Sequence, residues 1–152
     1  MKQITNTILM IRPVSFRMNE QTAVNNYYQK VLDSLNSETV QFRALQEFDN
    51  FVEKLKSAGI NVVVVNDTKN TDTPDSIFPN NWMSFHQNGD VGIYPMFAEN
   101  RRLERREDIF ETLEDLGFEI NNFLDYTSAE EEQIFLEGTG SLLLDRVNRK
   151  AY

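Results

Sequence analysis

The sequence contains no cysteine and only one histidine. Without cysteine the chain forms no disulfide, binds no zinc through thiolates and offers no thiolate nucleophile. The lone histidine, His86, has no cysteine or second histidine with which to complete a metal site or a nucleophile pair. His86 is therefore predicted to be a packed or hydrogen-bonded residue of a strand, and we expect neither a metal nor a cofactor.

Basic residues and long apolar runs are also scarce. Lysine and arginine total 15 against 24 acidic residues, which gives a net charge of -9 at pH 7. Nucleic-acid-binding proteins obtain most of their non-specific affinity from clustered basic side chains, so no nucleic-acid partner is expected. The apolar stretch at residues 8–11 is too short for a signal sequence or a membrane span. The sequence therefore predicts a cytoplasmic protein with no membrane partner.

The remaining composition is that of an ordinary globular protein. Apolar residues make up 40% and charged residues 26% of the 152 residues, a balance that disordered chains do not show. This length suits one compact body. Residues 1–152 are therefore predicted to form a single domain.

Several segments have the pattern of β-strands. Apolar runs predict strands at residues 5–13 and at residues 60–66, the second covered on both faces. The dipeptide Asn88-Gly89 lies between two short apolar segments and predicts a hairpin with a type I′ turn. Weaker patterns predict a strand with a loop at residues 118–126 and a turn into a strand at residues 137–146.

Two longer segments have helical periodicity. One begins at Ser37, the predicted N-cap, and ends at Gly59; the other begins at Asn100 and ends at Gly117. The apolar residues predicted to face inward are Phe42, Leu45, Phe48, Val52 and Leu55 in the first helix, and Leu103, Ile109, Phe110, Leu113 and Leu116 in the second. A short helix near residues 24–35 and a capping-box helix start at residues 127–133 are also predicted.

The two helix ends resemble each other. The segment LKSAGINV, residues 55–62, is followed 58 residues later by LEDLGFEI, residues 113–120. Both combine a helix end, a glycine and an apolar strand, which indicates a repeated α/β unit.

The segment TPDSIFPNNWMSFH, residues 73–86, concentrates polar and aromatic residues after a predicted buried strand. One interpretation is a structured loop in which Asp and Asn side chains satisfy their own backbone. The other is that the loop directs Asp75, Asn80 and Asn81 towards a polar ligand, because α/β sheets place their sites where strands end. In that case Trp82 would wall the pocket.

Glu137 precedes the glycine-containing segment GTGS. It is either a solvated acid ahead of a glycine turn or a carboxylate beside backbone left bare by Gly138 and Gly140. In the second case it could accept a bidentate hydrogen bond from a planar cation. The segment is not a Walker phosphate loop, because no Lys-Ser or Lys-Thr follows it.

An arginine cluster lies in the first turns of the second predicted helix, where cations oppose the helix dipole. Its members are Arg101, Arg102, Arg105 and Arg106. They either pair on a solvated face with Glu99, Glu104, Glu107 and Asp108, or supply a side chain for a ligand carboxylate.

Three motifs together resemble a known family: TPDSIFPNNWMSFH, GIYPMFAENRRLERR and FLEGTGSLLLDRVNRKAY. In this order and spacing they resemble the N-terminal half of the guanidino-group modifying superfamily. The resemblance is greatest to the branch of citrulline-utilisation hydrolases and amidinotransferase-like proteins, relatives of arginine deiminase and dimethylarginine dimethylaminohydrolase. It spans nearly the whole chain.

The resemblance implies an α/β fold of the pentein type, a β/α propeller of five modules, of which this chain would hold two to three. In that family a cysteine thiolate attacks the guanidinium or ureido carbon, a histidine acts as acid and base, and carboxylates hold the substrate nitrogens. The implied ligand is a guanidino or ureido amino acid, similar to arginine or citrulline.

The resemblance also implies roles for residues of the first motif. Asp75 matches the acid of a D-x-x-F motif that contacts the substrate nitrogens, and Phe78 matches the aromatic that packs over the planar group. Asn81 lies where close relatives have an aspartate, so an amide replaces a carboxylate there.

The second and third motifs carry further implied contacts. Arg101 or Arg102 matches an arginine that binds the substrate carboxylate. Glu137 matches the acid of an E-G-G-D-like motif, from which Thr139 and Gly140 depart. Asp75 and Glu137 would act as supporting acids that hold one substrate.

The family's catalytic cysteine and histidine lie in a half that this sequence does not contain, and His86 is not at the position of that histidine. The chain is therefore expected to be an N-terminal fragment that contributes substrate contacts but is inactive alone. It would act as a homo-oligomer or with a complementing C-terminal half. Two alternatives remain: a self-standing module that binds an amidine, ureido or amino-acid ligand without chemistry, and a degenerate scaffold with neither activity nor ligand.

Overall fold

A computed structural model describes residues 3–24, 26 and 36–152. The chain divides into two compact units: the first is Asn6–Phe78, and the second is Met1–Thr5 with Pro79–Tyr152. The short helix predicted near residues 24–35 lies outside the described residues. Within the described part, no helix has both the length and the apolarity needed to cross a bilayer.

The first unit is built on two parallel strands, β1 (Thr7–Arg12) and β2 (Asn61–Asn66). Both strands are where the sequence predicts them. In β2, Val63 and Val65 are buried whereas Val64 between them is exposed. The prediction that this strand is covered on both faces is therefore wrong, because the alternation of a β-strand turns only one of its faces to the core.

Among the described residues between these strands are two helices, α1 (Glu20–Ala23) and α2 (Ser37–Ser57). The N-cap of α2 is Asn36, not Ser37: its side chain accepts a hydrogen bond of 2.8 Å from the Thr39 N–H. Asn36 satisfies a backbone donor that the first turn leaves without an intrahelical partner. On the predicted inward face, Val52 is buried and Phe42 is 60% exposed, so the prediction is wrong for Phe42.

The second unit contains a three-stranded sheet in the order β3-β4-β5. Strands β3 (Met83–Phe85) and β4 (Asp90–Ile93) are antiparallel, and β5 (Asn122–Asp125) runs parallel to β4. The predicted hairpin and the third strand are thus confirmed.

The turn of the β3–β4 hairpin differs from the prediction. Gly89 has a φ of 80°, but Asn88 does not adopt a positive φ, as a type I′ turn would require. Instead, the Gly89 N–H bonds the His86 carbonyl at 3.0 Å, and the His86 N–H bonds the Asp90 carbonyl at 2.9 Å. This is the pattern of a longer hairpin loop in which a single glycine takes the left-handed conformation.

The helix predicted from residue 100 to Gly117 is divided into α3 (Glu99–Arg102) and α4 (Glu107–Asp115). The break places Arg101 and Arg102 in the last turn of α3, where the helix dipole favours positively charged side chains. The premise that the arginine cluster opposes a dipole is therefore wrong for these two residues.

The apolar face of α4 is largely as predicted, and Ile109 and Leu113 are buried. Leu103 and Leu116, however, are 49% and 59% exposed, so the inward prediction fails for both. Leu103 lies outside α4, and Leu116 is its C-cap. Neither lies within the regular turns that bury the apolar face.

The rest of the second unit consists of short elements. The predicted capping-box start is a 3₁₀ helix, Thr127–Glu132, without a side-chain cap; the Thr127 N–H instead bonds the Asp125 carboxylate at 2.8 Å. The other elements are a 3₁₀ turn (Pro79–Asn81) and the one-turn helix α5 (Gly138–Ser141). Two further strands, β6 (Leu144–Asp145) and β7 (Lys150–Ala151), form an antiparallel pair.

The two similar helix ends have the same geometry. Gly59 and Gly117 have φ values of 84° and 86°. The residue after each glycine donates its N–H to a helical carbonyl, from Ile60 to Leu55 at 3.1 Å and from Phe118 to Leu113 at 3.0 Å. In both places the following strand pairs in parallel with an earlier one. These features support a repeated α/β unit, and the number of propeller modules stays a prediction.

Trp82 belongs to the core of the second unit. Its side chain is 1% exposed and meets Phe110 edge-on, with ring centroids 6.0 Å apart. Met96 and Ile109 are buried to a similar extent. The prediction that Trp82 forms a pocket wall is therefore wrong, because a large aromatic ring with so little exposed surface is used for packing.

Candidate functional site

Two short segments interlock in the second unit: the 3₁₀ turn at Pro79–Asn81 and helix α5. A β-carbon built on Gly138 would lie 2.4 Å from the Asn80 carbonyl oxygen, and one built on Gly140 would lie 2.4 Å from the Asn81 amide nitrogen. At Gly138 the neighbour is backbone, so this close approach requires glycine, whereas at Gly140 the neighbour is a side chain. The Asn80 amide also donates to the Thr139 hydroxyl at 3.1 Å.

Glu137, at the start of α5, receives donors from three directions. Its Oε2 accepts a hydrogen bond of 3.4 Å from the Asn81 amide, and its Oε1 accepts one of 3.3 Å from the Phe97 N–H. The Arg101 Nη1 lies 3.7 Å from Oε2. The Glu137 side chain is still 25% exposed. The result is an oriented carboxylate with part of its surface open to solvent.

Arg101 is buried and engaged with a second carboxylate. Its Nε and Nη2 donate to the two oxygens of Glu104 at 2.9 and 3.1 Å, and the two side chains are 5% and 1% exposed. This is the bidentate arrangement that a planar guanidinium favours. The solvated-face interpretation of the arginine cluster is therefore wrong for this pair.

Arg102 points to a different part of the unit. Its Nε donates to the Met96 carbonyl at 3.0 Å and lies 3.3 Å from the Glu130 carboxylate, and its Nη2 donates to the Phe97 carbonyl at 3.3 Å. Its side chain is 29% exposed. An open cavity of about 510 Å³ is lined by Arg102, Asp125, Thr127, Ser128, Glu130 and Glu131.

Glu130 is a partner that the sequence did not indicate. It pairs with both Arg102 and Arg105, and its Oε1 accepts a hydrogen bond of 2.7 Å from the Met96 N–H. It lies in the glutamate run that the sequence suggested only as a helix start. Arg106 pairs with Asp108 on the surface, as the solvated-face interpretation predicts.

Asp75 lies in the first unit, where it is 6% exposed. Its Oδ2 accepts hydrogen bonds from the Asn19 amide at 2.8 Å and the Thr22 hydroxyl at 3.1 Å. Sequence analysis missed Asn19 and Thr22. The available signal was an asparagine directly before Glu20, a typical helix N-cap, and Asn19 does cap α1. Phe78 donates its backbone N–H to the Asp75 carbonyl at 3.0 Å, and it is 46% exposed.

His86 is hydrogen-bonded, as predicted. Its Nε2 lies 3.0 Å from the Ser84 hydroxyl, which lies 2.7 Å from the Tyr94 hydroxyl, and its Nδ1 lies 3.3 Å from Arg146 Nη1. Burial, and then the neighbouring charge of Arg146, lower the pKa of His86. A neutral ring can accept from Arg146 and donate to Ser84 at the same time.

The structure brings together four of the predicted site residues: Asn80, Asn81, Arg101 and Glu137. Arg102 lies in the same unit and contacts the Phe97 carbonyl, while the N–H of that residue bonds Glu137. Asp75 and Phe78 belong to the other unit, so their sharing a substrate with Glu137 stays a prediction. The Glu137 carboxylate can accept hydrogen bonds from the N–H groups of a ligand. The sequence contains no cysteine and therefore no thiolate. Among the residues that the structure describes, no cluster of acids and histidine has the geometry of a metal site.

Comparison with known proteins identifies the family of the chain. A family model described as "N,N dimethylarginine dimethylhydrolase, eukaryotic" matches residues 12–152. A search of curated protein sequences finds no match.

Solved structures share the fold. The apo crystal structure of ArgZ, an arginine dihydrolase from the ornithine-ammonia cycle in cyanobacteria, has a TM-score of 0.58 and 21% identity, covering 95% of this chain and 19% of that chain. The crystal structure of unliganded AgrE has a TM-score of 0.61 and 20% identity, and the match covers 95% of this chain and 19% of AgrE. The N-terminal domain of ArgZ, covalently bound to a reaction intermediate, has a TM-score of 0.58 and 21% identity, and the match covers 95% of this chain and 47% of that chain. The chain thus spans less than half the length of each of these proteins.

The mixed α/β fold predicted from the sequence is confirmed by these structures. The family model covers almost the whole sequence and is of a guanidino-modifying type. The predicted resemblance to the guanidino-group modifying superfamily is therefore confirmed, and the chain belongs to the dimethylarginine dimethylhydrolase family.

Proposed function

We propose that the chain supplies substrate-binding residues for a hydrolase or amidinotransferase that acts on guanidino or ureido compounds similar to arginine or citrulline. The proposal is supported by the family match and by the descriptions of the structural relatives. ArgZ is described as an arginine dihydrolase, and AgrE has been solved in complex with ornithine and NAD⁺.

The observation that carries the proposal is the setting of Glu137. A guanidino or ureido group is planar and presents several N–H donors, and a carboxylate is the side chain best suited to receive two of them. Glu137 is oriented by Asn81 and Phe97 but stays 25% exposed, so a ligand can reach it. The guanidinium of Arg101, itself a planar cation, lies 3.7 Å from the same carboxylate.

The other residues have separate roles in this proposal. Asn80 and Asn81 hold the segment that faces Glu137. Of the two arginines implied for the ligand carboxylate, the geometry favours Arg102, because it is 29% exposed whereas the Arg101 side chain is 5% exposed.

Within this proposal the 152 residues bind a ligand without transforming it. The sequence holds no cysteine, and its one histidine bonds Ser84 and Arg146. The nucleophile would come from a complementing polypeptide segment or a partner chain. A second copy of this chain could help to order the site but not supply a thiolate.

The experiment is an NMR titration of the chain with L-arginine, L-citrulline and N,N-dimethylarginine. We expect shifts of the amide signals of Asn81, Phe97 and Thr139, and we expect Glu137→Gln to remove most of the effect. Glu111→Gln, an exposed acid on α4, is the matched control. Amino-acid analysis of the same samples should show no product. Absence of shifts at about 10 mM ligand, a weak-binding limit, would refute binding, and product formation would refute the non-catalytic role.

The second candidate function is a self-standing binding module. Such a module needs no nucleophile, and the sequence holds no cysteine. Affinity separates the two candidates: a dissociation constant of about 1 μM in the isolated chain favours a self-standing module. A dissociation constant of about 1 mM favours the first candidate, in which residues outside this chain complete the binding site.

A further inference from the structure

Strand β5 lies at the edge of the sheet in the second unit. The order of that sheet is β3-β4-β5, so among the described residues β5 has a neighbouring strand on one side only. The Tyr126 N–H bonds the Ile93 carbonyl of β4 at 2.9 Å. Because alternate residues of a strand turn their backbone groups to opposite edges, Leu124 also faces β4, whereas Phe123 and Asp125 direct theirs outwards. The outer edge thus offers hydrogen-bond donors and acceptors to a further strand.

The same strand is apolar and lacks the usual protection of a sheet edge. Natural proteins protect such an edge with lysine, proline or a covering segment. The sequence of β5, NFLD, has neither lysine nor proline, and all four residues are exposed. Phe123 and Leu124 are 52% and 42% exposed, on opposite faces of the sheet. An extended segment of another polypeptide can add to a sheet at a strand of this kind.

The charge around β5 indicates which kind of segment fits. Residues 107–132, which contain α4, β5 and the following 3₁₀ helix, hold ten acidic residues and no lysine or arginine. Asp125, the last residue of β5, lines the open cavity together with Glu130 and Glu131. The basic residue of that lining, Arg102, is paired with Glu130. Asp125 and Glu131 are therefore the carboxylates placed to receive a cation from outside.

We propose that the outer edge of β5 is a docking site for an extended basic segment of a partner protein. The segment adds to the sheet as a fourth strand, its apolar side chains pack on Phe123 and Leu124, and a lysine or arginine enters the cavity beside Asp125 and Glu131. A second copy of the chain fits less well, because two-fold pairing would set two acidic strands against each other. This role is separate from ligand binding at Glu137.

The test uses the full chain and, as the probe, an acetylated and amidated heptapeptide of alternating lysine and valine. Two further peptides serve as controls. Alternating lysine and glycine keeps the charge but has little tendency to form a strand, and alternating glutamate and valine reverses the charge. NMR measures hydrogen exchange of the β5 amides. With the lysine–valine peptide we expect exchange at Phe123 and Asp125 to slow about tenfold, while Leu124, already bonded to β4, stays unchanged.

A pair of substitutions tests the cavity. Asp125→Asn with Glu131→Gln removes two charges but keeps an acceptor for the Thr127 N–H. Affinity for the lysine–valine peptide should fall about tenfold, because hydrogen bonds to charged groups are the stronger ones. The matched control, Glu38→Gln with Glu47→Gln, removes the same charge from exposed positions of the first unit and should leave the affinity unchanged.

Unchanged exchange at Phe123 and Asp125 in about 1 mM peptide would overturn the proposal. Equal affinity for the lysine–glycine peptide would also overturn it, since charge alone would then explain binding, and so would equal losses in the two double variants. Sedimentation velocity without peptide tests the other occupant: a dimer with slowed exchange at Phe123 and Asp125 would assign the edge to a second copy and refute the basic partner. Fluorescence of the buried Trp82 identifies a variant that has unfolded, and the peptide comparison on the unmodified chain then decides alone.

Discussion

The side-chain amide of Asn81 covers the α-carbon of Gly140, so that a β-carbon at Gly140 would lie 2.4 Å from the amide nitrogen. Gly138 meets the same segment through its backbone: a β-carbon there would lie 2.4 Å from the Asn80 carbonyl oxygen and 2.9 Å from that of Asn81. The two glycines are thus confined by different kinds of neighbour. A side chain can move aside, whereas a backbone carbonyl within a turn cannot do so without moving the turn.

Gly138→Ala should therefore be strongly destabilising. The added methyl group clashes with backbone on two sides, and the φ of 42° also disfavours a residue with a β-carbon. We expect the free energy of unfolding to fall by about 3 kcal/mol, as overpacking and left-handed strain combine. Urea denaturation monitored by fluorescence of the single tryptophan, Trp82, provides the measurement.

Gly117→Ala is the matched control for that substitution. Gly117 has a φ of 86° but no atom within 4 Å of the position of a β-carbon. The free energy of unfolding of the Gly117→Ala variant should fall by about 1 kcal/mol, the cost of the left-handed conformation alone. Equal losses in the two variants would show that the contact with Asn80 and Asn81 is unimportant for stability.

Gly140→Ala should affect the site more than the fold. The methyl group displaces the Asn81 side chain, which can rotate, so we expect a loss of less than about 1 kcal/mol in unfolding free energy. The rotated amide no longer donates to Glu137 Oε2. Affinity for L-arginine should fall about tenfold, because a hydrogen bond to a charged group has been lost. Calorimetry measures the affinity, and exposed Ser141→Ala should leave it unchanged.

The parts of the fold that the sequence predicts well are those that local chemistry determines. Gly59 and Gly117 end their helices because glycine readily adopts the positive φ required there. Strands β1 and β2 follow from continuous apolar runs. Periodicity alone did not reveal the break between α3 and α4, beside which Arg101 and Glu104 are buried together.

The site was predictable to a similar degree. The family resemblance indicated Glu137, Asn81 and either Arg101 or Arg102, and the structure brings Arg101 together with the first two. The resemblance gave no role to Glu104, which the sequence offered only as a surface partner. Asn19 was missed altogether, because its bond to Asp75 joins residues 56 positions apart. A buried polar contact of this kind has no periodic signature in the sequence.

Asn19→Ala should destabilise the first unit more than removal of an ordinary helix cap. Asn19 caps α1 and also donates to the buried carboxylate of Asp75 at 2.8 Å, and it is 0% exposed. We expect a loss of about 3 kcal/mol, since a helix cap and a hydrogen bond to a charged group are removed together. Urea denaturation monitored by far-ultraviolet circular dichroism measures this loss.

Asn36→Ala is the natural comparison, because Asn36 caps α2 from an exposed position. It should lose about 1 kcal/mol, the usual effect of removing an N-cap side chain. If the two alanine variants are equally stable, the bond from Asn19 to Asp75 contributes little. The role of Asn19 would then be limited to capping.

Stability should depend on pH through His86, because the folded and unfolded states differ in their affinity for a proton. Burial and the charge of Arg146 lower the pKa of His86 below the ordinary value of 6.5, although Asp90 acts in the opposite direction. A protonated ring could no longer accept a hydrogen bond at Nδ1 from Arg146. The folded state therefore binds a proton less readily than the unfolded state.

The contribution of His86 to stability is thus fully present above pH 6.5 and is lost as the pH falls through the lowered pKa of the folded state. Because His86 is the only histidine, no other side chain with an ordinary pKa titrates in this window. His86→Gln should flatten the dependence of unfolding free energy on pH between about 5 and 7. Arg146→Gln should raise the pKa of His86, which NMR of the ring protons measures directly. If the unfolding free energy of the His86→Gln variant varies with pH as steeply as that of the unmodified chain, His86 is not responsible for the pH dependence. The proton uptake would then belong to other groups.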